Sequence, residues 1–231
     1  MNVVAIKILR KFWEKFPDSE QHLKAWVDEV RNASWSQHSN TKEKYRNASI
    51  LKNRRVVFNI KGNDYRVVAA VAYRFQAVYI KFIGAHKEYD AINAETIEQE
   101  NRRTDMDIHP IRTNEDYQTA LREISAFFDN EPVPGTPEGD RFEVLLTLVS
   151  VFEAKQFPID LPDPVEAIKF RMEQAGLTAK DLVPAIGRLN RVYEILNRKR
   201  PLTLRMIWKL HNDLGIPAES LVRPPKNLLA A

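Results

Sequence analysis

The chain has 231 residues, of which 44% are hydrophobic and 29% are charged, and its formal net charge is +4. This composition is typical of one large or two small globular domains and not of a disordered or fibrous chain. Cysteine is absent, which excludes disulfides, thiolate zinc sites and cysteine nucleophiles. The five histidines show no HxxxH spacing, and the seven glycines form neither GxGxxG nor GxxxxGK(S/T). We therefore expect no metal site and no bound cofactor.

The sequence predicts no membrane segment and no export signal. The longest apolar run, residues 144–152, is much shorter than the about 20 residues that a bilayer span requires. The N-terminal segment becomes charged within seven residues, which is not the pattern of a signal peptide. We expect a soluble, cytoplasmic protein.

The small net charge conceals a strong charge pattern along the chain. Residues 1–94 carry 17 basic and 9 acidic side chains, and residues 95–105 carry 2 and 4. Residues 106–163 carry 4 basic and 12 acidic side chains, whereas residues 164–231 carry 12 and 6. This basic–acidic–basic order indicates two surfaces for anionic partners and an acidic segment that could cover one of them.

The first 94 residues predict a compact α+β unit. A short strand at Val3 to Ala5 precedes two helices, which Pro17 separates, and a polar stretch with one helical turn near residues 42–46 follows. Residues rich in Val, Ile, Phe and Tyr then indicate three strands, and the turn at residues 61–64 is a hairpin signal. We predict a small antiparallel sheet with strands at residues 55–60, 65–73 and 78–84.

Residues 95–105 lack apolar periodicity apart from Ile97 and are predicted to be a linker. From Met106 onward we find helical patterns and no strand. Thr113 with Asp116 three residues later forms a capping-box pattern, and the dipeptides Thr136-Pro137 and Asp163-Pro164 are typical helix starts. The predicted division is 1–94, the linker 95–105, a helical segment 106–163 and a helical domain 164–231.

Residues 167–222 predict five short helices, with tight turns at Gly176 and Gly187. The third covers about 190–197 and turns Val192 and Ile195 toward a core. A plain helical bundle with a solvated basic face explains this spacing equally well. The pattern GLTxKDL…IG…ILNxKRPLTLxMxxKLxxxLGI, however, resembles the helix-turn-helix of the lambda-repressor/Xre class, and more narrowly that of HigA-type antitoxins.

This resemblance implies DNA binding, because Arg and Asn can read base edges and Lys can contact phosphates. Pro184 lies inside the second helix, so the register of the DNA-reading side chains stays open. The DNA-binding candidates are Lys180, Arg188, Asn190, Arg191, Tyr193, Glu194, Asn197, Arg198, Lys199 and Arg200.

Two N-terminal segments, RRVVFNIKGNDYRVVAAVAY and VYIKFIGAHKEYD, resemble HigB-type toxins of the RelE-like group. The resemblance extends over most of residues 1–92. It implies a small sheet with helices against one face and a ribosome-dependent, metal-independent mRNA endonuclease. Such cleavage uses the 2′-hydroxyl as nucleophile and needs a base, a cation on the phosphate and a proton donor.

The candidate groups for this chemistry lie in the same two segments. His86 and Tyr89 are candidates for proton transfer, and Arg66, Lys61 and Lys87 are candidates for phosphate stabilisation. Strand parity places Arg66 and Arg74 on one sheet face about 26 Å apart, so they cannot share a phosphate. We assign RNA or ribosome contacts to Arg54, Arg55 and Arg74. His86 as a helix cap, Tyr89 as a packed ring and Lys61 as an exposed side chain are the alternatives.

The two resemblances together predict a HigB–HigA toxin–antitoxin fusion, natural or engineered. The acidic segment is expected to pack on the basic toxin, in cis or in trans, and to inhibit it. Predicted partners are translated mRNA, operator DNA and a second copy of the chain in a homodimer. The alternative is a non-enzymatic helix-turn-helix transcription regulator whose N-terminal domain binds a partner without catalysing a reaction.

Overall fold

The computed structural model describes residues 1–97 and 108–222, and its N-terminal part contains a five-stranded sheet in the order β1-β5-β4-β3-β2. Neighbouring strands from β5 to β2 run antiparallel, whereas β1 runs parallel to β5. The expectation of a purely antiparallel sheet was therefore wrong, because β1, which precedes the helices, lies at the sheet edge beside β5 and runs parallel to it. The strands are β1 Asn2–Val4, β2 Ser49–Ile50, β3 Arg55–Ile60, β4 Tyr65–Ala72 and β5 Ala77–Ala85.

The predicted three-stranded meander is confirmed, and its hairpin sets the register. Ile60 pairs with Tyr65 across the 61–64 turn, in which Lys61 (φ +53°) and Gly62 (φ +69°) are both left-handed. Such a turn requires positive φ at its centre, which explains the glycine. The short strand β2 was not predicted.

One face of the sheet packs on the first two helices, α1 Lys7–Lys15 and α2 Glu20–Arg31. Trp26 of α2 is fully buried and meets Phe58 of β3 edge-on, with ring centroids 5.2 Å apart. The helical turn predicted near residues 42–46 is a longer helix, α3 His38–Lys44. A last short helix, α4 His86–Asp90, follows β5 directly.

Helices alone make up the regular structure of residues 108–222, as the sequence predicts. Thr113 accepts a hydrogen bond from the Asp116 backbone N–H at 3.1 Å, so the predicted capping box is present. No described helix has the length and apolar character that a membrane span requires. The helices are α5 Asn114–Asp129, α6 Pro137–Gln156, α7 Pro164–Ala175, α8 Val183–Ile186, α9 Leu189–Leu196, α10 Leu204–Leu214 and α11 Ala218–Val222.

The main hydrophobic core joins the sheet to α5 and α6. Tyr79 of β5 packs on Phe128 of α5, and Phe128 packs on Phe142 of α6, with centroid distances of 5.5 and 5.3 Å. A second core unites α7 with α8–α11. The predicted linker lies mostly outside the described residues, since only 95–97 of it are described. The described segments on its two sides share one core.

Candidate functional site

Three buried cations lie on the sheet face opposite α1 and α2, and we call this surface the cationic face. They are Arg55 on β3, Arg66 on β4 and Lys81 on β5, each less than 9% exposed. The pairing shifts in register at Val68/Ala69, so that β5 carries one extra residue there, Lys81. A bulge of this kind redirects a side chain, and here it directs a lysine toward α5.

The C-terminal end of α5 covers the Arg55 side of the cationic face. The Asp129 carboxylate accepts from Arg55 Nη2 at 3.0 Å through one oxygen and from Lys81 Nζ at 3.1 Å through the other. Lys81 also donates to Ser125 Oγ at 2.6 Å. Buried charges are tolerated only when they are paired and hydrogen-bonded, so α5 supplies what these two cations need.

The neighbouring Arg54 is bound by the segment that follows α5. Its Nη1 lies 2.7 Å from Glu131 Oε2, and its guanidinium also reaches the carbonyls of Phe128 and Asp129. In the intact chain Arg55 is 2% exposed and Arg54 is half-buried. The expected RNA contacts of both arginines stay a prediction, and in this structure α5 and Glu131 bind their guanidinium groups.

Arg66 lies at the other end of the cationic face and has a different environment. Its Nη1 donates to the carbonyls of Asn63 (3.0 Å) and Tyr65 (3.3 Å), and its guanidinium carbon lies 5.9 Å from the ring centre of Tyr89. No carboxylate in the described part of the chain forms an ion pair with it. Burial lowers the pKa of Arg66, and the nearby Tyr89 and Asp90 oppose that shift.

Helix α4 places the predicted proton-transfer residues beside Arg66. His86 Nδ1 lies 3.0 Å from Asp90 Oδ2, and both side chains are exposed to solvent. The His86 backbone N–H donates to the Asp64 carbonyl at 3.1 Å, which ties α4 to the β3–β4 hairpin. We call the group of Arg66, Tyr89, His86 and Asp90 the α4 cluster. It extends from the buried Arg66 to the exposed side chains of His86 and Asp90.

Gly84 makes the close approach of α4 possible. It pairs with Arg66 across the sheet, and a Cβ at this position would lie 2.5 Å from Phe82 Cζ and 2.8 Å from Glu88 Oε2. Glu88 uses that carboxylate to accept from the Ala85 backbone N–H at 2.7 Å and so closes the first turn of α4. Any larger residue would force these side chains away.

Neither of the two lysines predicted to stabilise the phosphate belongs to the α4 cluster. Lys61 forms ion pairs with Asp18 and, at 3.3 Å, with Asp64, and it lies 5.8 Å from the ring centre of Tyr65. The hydrogen bond to Asp18 raises the pKa of Lys61. Lys87 is exposed on α4, and the described residues offer it no hydrogen bond or ion pair.

The parity argument assumed that Arg74 continues the strand of Arg66, but β4 ends at Ala72. Arg74 lies in the turn before β5 with its side chain exposed, and its backbone N–H donates to Glu131 Oε1 at 3.0 Å. The strand-parity argument, which placed Arg74 on the same sheet face as Arg66, therefore does not apply.

In the helical region, α9 begins at Leu189 and buries Val192 and Ile195, close to the prediction. Pro184 divides the preceding helix into a 3₁₀ turn, Ala179–Leu182, and the four-residue α8. The exposed DNA-binding candidates around α9 are Lys180, Arg188, Asn190, Arg191, Tyr193, Asn197, Lys199 and Arg200.

Two further candidates are engaged within the protein. Arg198, which was expected to face outward, turns back because its backbone is left-handed (φ +57°), and it binds Asp163 at 3.1 Å and Glu166 at 2.7 Å. That expectation was wrong. Glu194 pairs with Arg200 at 2.6 Å.

Sequence reasoning missed several charged residues that the fold buries. Lys81 interrupts an apolar strand as Arg66 does, so the same signal was available for it. Glu153 of α6 is 1% exposed, and it accepts hydrogen bonds from the Ile6 backbone N–H and the Tyr117 hydroxyl. Burial raises the pKa of Glu153 to about 7. The described residues contain no group of three His, Asp or Glu side chains placed to hold a metal ion.

Comparison with known proteins matches the N-terminal part of the chain. The sequence profile HigB_toxin, described as the RelE-like toxic component of a toxin-antitoxin system, matches residues 19–92. The chain is 30% identical over 96 residues to the mRNA interferase toxin HigB of Escherichia coli (strain K12), covering 41% of this chain and 92% of that protein. The mRNA interferases HigB of Escherichia coli O157:H7 and of Shigella flexneri match to the same extent. The matched profile contains the α4 cluster and ends before α5.

Proposed function

The chain belongs, through its N-terminal region, to the HigB family of RelE-like toxins, and from this premise we propose that residues 1–94 form an mRNA interferase domain. The proposed reaction is ribosome-dependent and metal-independent cleavage of mRNA. The observation that carries the proposal is the α4 cluster, in which a buried arginine adjoins an exposed His–Asp pair and has no ion-paired carboxylate among the described residues. The family profile spans every residue of this cluster.

The roles in the proposed reaction follow from these positions. Arg66 is held by carbonyl oxygens and keeps its charge available for a scissile phosphate. His86, oriented by Asp90, accepts the 2′-hydroxyl proton or returns one to the leaving oxygen, and Tyr89 is the second proton-transfer group. Lys87 contributes positive charge at the rim, and Lys61 has a structural part because Asp18 occupies it.

We also propose that residues 106–163 inhibit this domain in cis. Support comes from Asp129 and Glu131, which bind Arg54, Arg55 and Lys81 on the cationic face. An RNA chain that reached these three cations would have to displace α5. Because the inhibitor is part of the same chain, its effective concentration is on the order of 1 mM, as short linkers give. This favours the state in which α5 covers the cationic face.

For residues 164–231 we propose binding of operator DNA and autorepression, as in a HigA-like antitoxin. The supporting observation is the exposed Arg191, Asn190 and Tyr193 on α9, together with the exposed Lys180 in the preceding 3₁₀ turn and Lys199 shortly after α9. A homodimer would present two copies of α9 about 34 Å apart to a palindromic site. A gel shift of the full chain on the DNA upstream of its gene tests this: Arg191→Ala should weaken binding, whereas Lys155→Ala, an exposed change on α6, should not.

Growth of cells that express the chain in parts tests the toxin proposal. Residues 1–97 expressed alone should arrest growth and leave cleaved translated messages, and co-expression of residues 108–231 should restore growth. Arg66→Ala in the N-terminal part should remove the arrest while protein levels stay unchanged. Normal growth with intact messages on expression of soluble residues 1–97 refutes the toxin proposal.

The rival function is a non-enzymatic helix-turn-helix regulator with an inactive N-terminal domain. The burial of Arg55 and Lys81 under α5 favours it, because these two cations cannot reach RNA unless α5 moves. The growth experiment separates the two: the regulator predicts harmless residues 1–97 together with an intact gel shift.

A further inference from the structure

Helix α7 connects the N-terminal unit to the candidate DNA-binding helix through buried polar contacts. Arg171 of α7 and Glu29 of α2 form an ion pair at 2.9 Å, with both side chains only 3% exposed. The Arg171 guanidinium also donates to the Lys44 carbonyl and lies 5.3 Å from the ring centre of Tyr45. Gln174, one helical turn later, donates to the carbonyl of Asn59 in β3 at 2.9 Å.

Further polar contacts lie on either side of this pair. Ser220 of α11 donates to Asp28 Oδ2 at 2.6 Å, and Ser220 is fully buried. The Asp163 backbone N–H, at the start of α7, donates to Gln21 of α2 at 2.9 Å. Lys44 Nζ reaches the Gly215 carbonyl at 3.3 Å. The helical domain is thus attached to α2 and α3 at three places in addition to the Arg171–Glu29 pair.

The opposite end of α7 holds the C-terminal end of α9. Arg198 lies two residues after the end of α9 and binds both Asp163 and Glu166. Ala167 and Ile168 of α7 belong to the same core as Val192 and Ile195 of α9. Apolar contacts as well as ion pairs therefore join the two helices. A continuous set of contacts therefore runs from α2 through α7 to α9.

Apolar surfaces tolerate small slips, whereas a buried ion pair does not, because a displaced partner leaves an uncompensated charge. We infer that Glu29 and Arg171 are positioning residues, which fix the DNA-reading face of α9 relative to the N-terminal unit. The N-terminal unit is then a structural part of the DNA-binding unit, through a surface on α2 and α3 that is separate from the cationic face. This inference rests on the proposed binding of DNA by α9.

Two measurements on the full chain test the inference with the variant Glu29→Gln, which removes the charge and keeps the shape. Hydrogen exchange followed by mass spectrometry reports docking without any DNA. We expect amides of α7 and α9 to exchange at least tenfold faster, while those of β3–β5 keep wild-type rates. In a gel shift on the upstream DNA, the affinity should fall at least fivefold. Glu43→Gln, an exposed change on α3, is the matched control and should alter neither result.

A second variant tests the ion pair itself. Glu29→Gln combined with Arg171→Met removes both charges of the pair. It should recover most of the exchange protection and DNA affinity, because Lys44, which lies 3.9 Å from Glu29, is partly exposed and still donates to the Gly215 carbonyl. If Glu29→Gln does not fold, Ser220→Ala provides the milder comparison, with an expected increase in exchange of twofold or more in α7 and α11.

The outcomes separate this inference from the proposed function. Unchanged exchange in α7 and α9, or equally faster exchange in the sheet, overturns the positioning role. So does localised faster exchange with unchanged DNA affinity. Absence of a gel shift by the wild-type chain instead removes the DNA-binding proposal, and with it the functional part of the inference, whatever exchange shows about docking.

Discussion

Glu153 makes the stability of the chain depend on pH in a direction that can be worked out. The carboxyl is 1% exposed and lies on α6. It accepts from Tyr117 of α5 and from the backbone N–H of Ile6 (3.1 Å), in the segment between β1 and α1. Burial raises its pKa from 4.5 to about 7. At about 1.4 kcal/mol per pKa unit, the shift corresponds to about 3 kcal/mol of unfolding free energy.

The direction of this pH dependence follows from the raised pKa of Glu153. The folded state holds the proton more tightly than the unfolded state, so the stabilisation is complete below pH 4.5 and is lost as the pH rises through 7. Glu153→Gln keeps a neutral acceptor in place and removes this titration. The measurement is the free energy of unfolding by urea, followed by tryptophan fluorescence, from pH 4.5 to 8. As the pH rises across this range, the unfolding free energy of the variant should increase by about 3 kcal/mol relative to that of the wild type.

The matched control is Glu143→Gln, an exposed change on the same helix, which should follow the wild-type pH profile. Parallel curves for wild type and Glu153→Gln would refute the reasoning, because they would show that Glu153 titrates in the folded protein as it does in the unfolded chain.

Two further substitutions test individual contacts by their effect on unfolding free energy. Asp129→Ala leaves Arg55 and Lys81 without their shared carboxylate and should lower it by about 3 kcal/mol, whereas the exposed Asp213→Ala should change it by less than about 0.5 kcal/mol; equal effects would contradict the assigned ion pairs. Gly176→Ala places a Cβ at φ +65° after α7 and should cost about 1 kcal/mol, measured as a lower melting temperature; an unchanged melting temperature would contradict it.

Features that depend on neighbouring residues were predictable from the sequence. The capping box at Thr113, the hairpin at residues 61–64 and the left-handed Gly176 all lie where local rules place them. The composition of the α4 cluster was also predictable, because Arg66 interrupts an apolar strand and His86 and Tyr89 follow the last strand.

Contacts between distant parts of the chain were not predictable. Asp129 lies 74 positions from Arg55, and nothing in either segment specifies which surface the acidic helix covers. The parallel pairing of β1 with β5 and the bulge at Lys81 likewise depend on the assembled sheet. Arg198 was misjudged because helical periodicity was extended past Leu196, where α9 ends.

The most direct test of the central claim is cleavage of a translated message in a reconstituted translation system. Asp129→Lys with Glu131→Lys places positive charges against Arg54, Arg55 and Lys81 and should release α5. This full-length variant should cleave the message on ribosomes, the wild-type chain should leave it intact, and adding Arg66→Ala should abolish cleavage.

The control Glu138→Lys with Asp140→Lys carries the same change in charge on an exposed turn of α6 and should behave as wild type. Circular dichroism establishes that each variant is folded. An intact message with the folded, charge-reversed variant, or cleavage that persists after Arg66→Ala, would contradict the account in which α5 covers RNA-binding cations and so inhibits cleavage in cis.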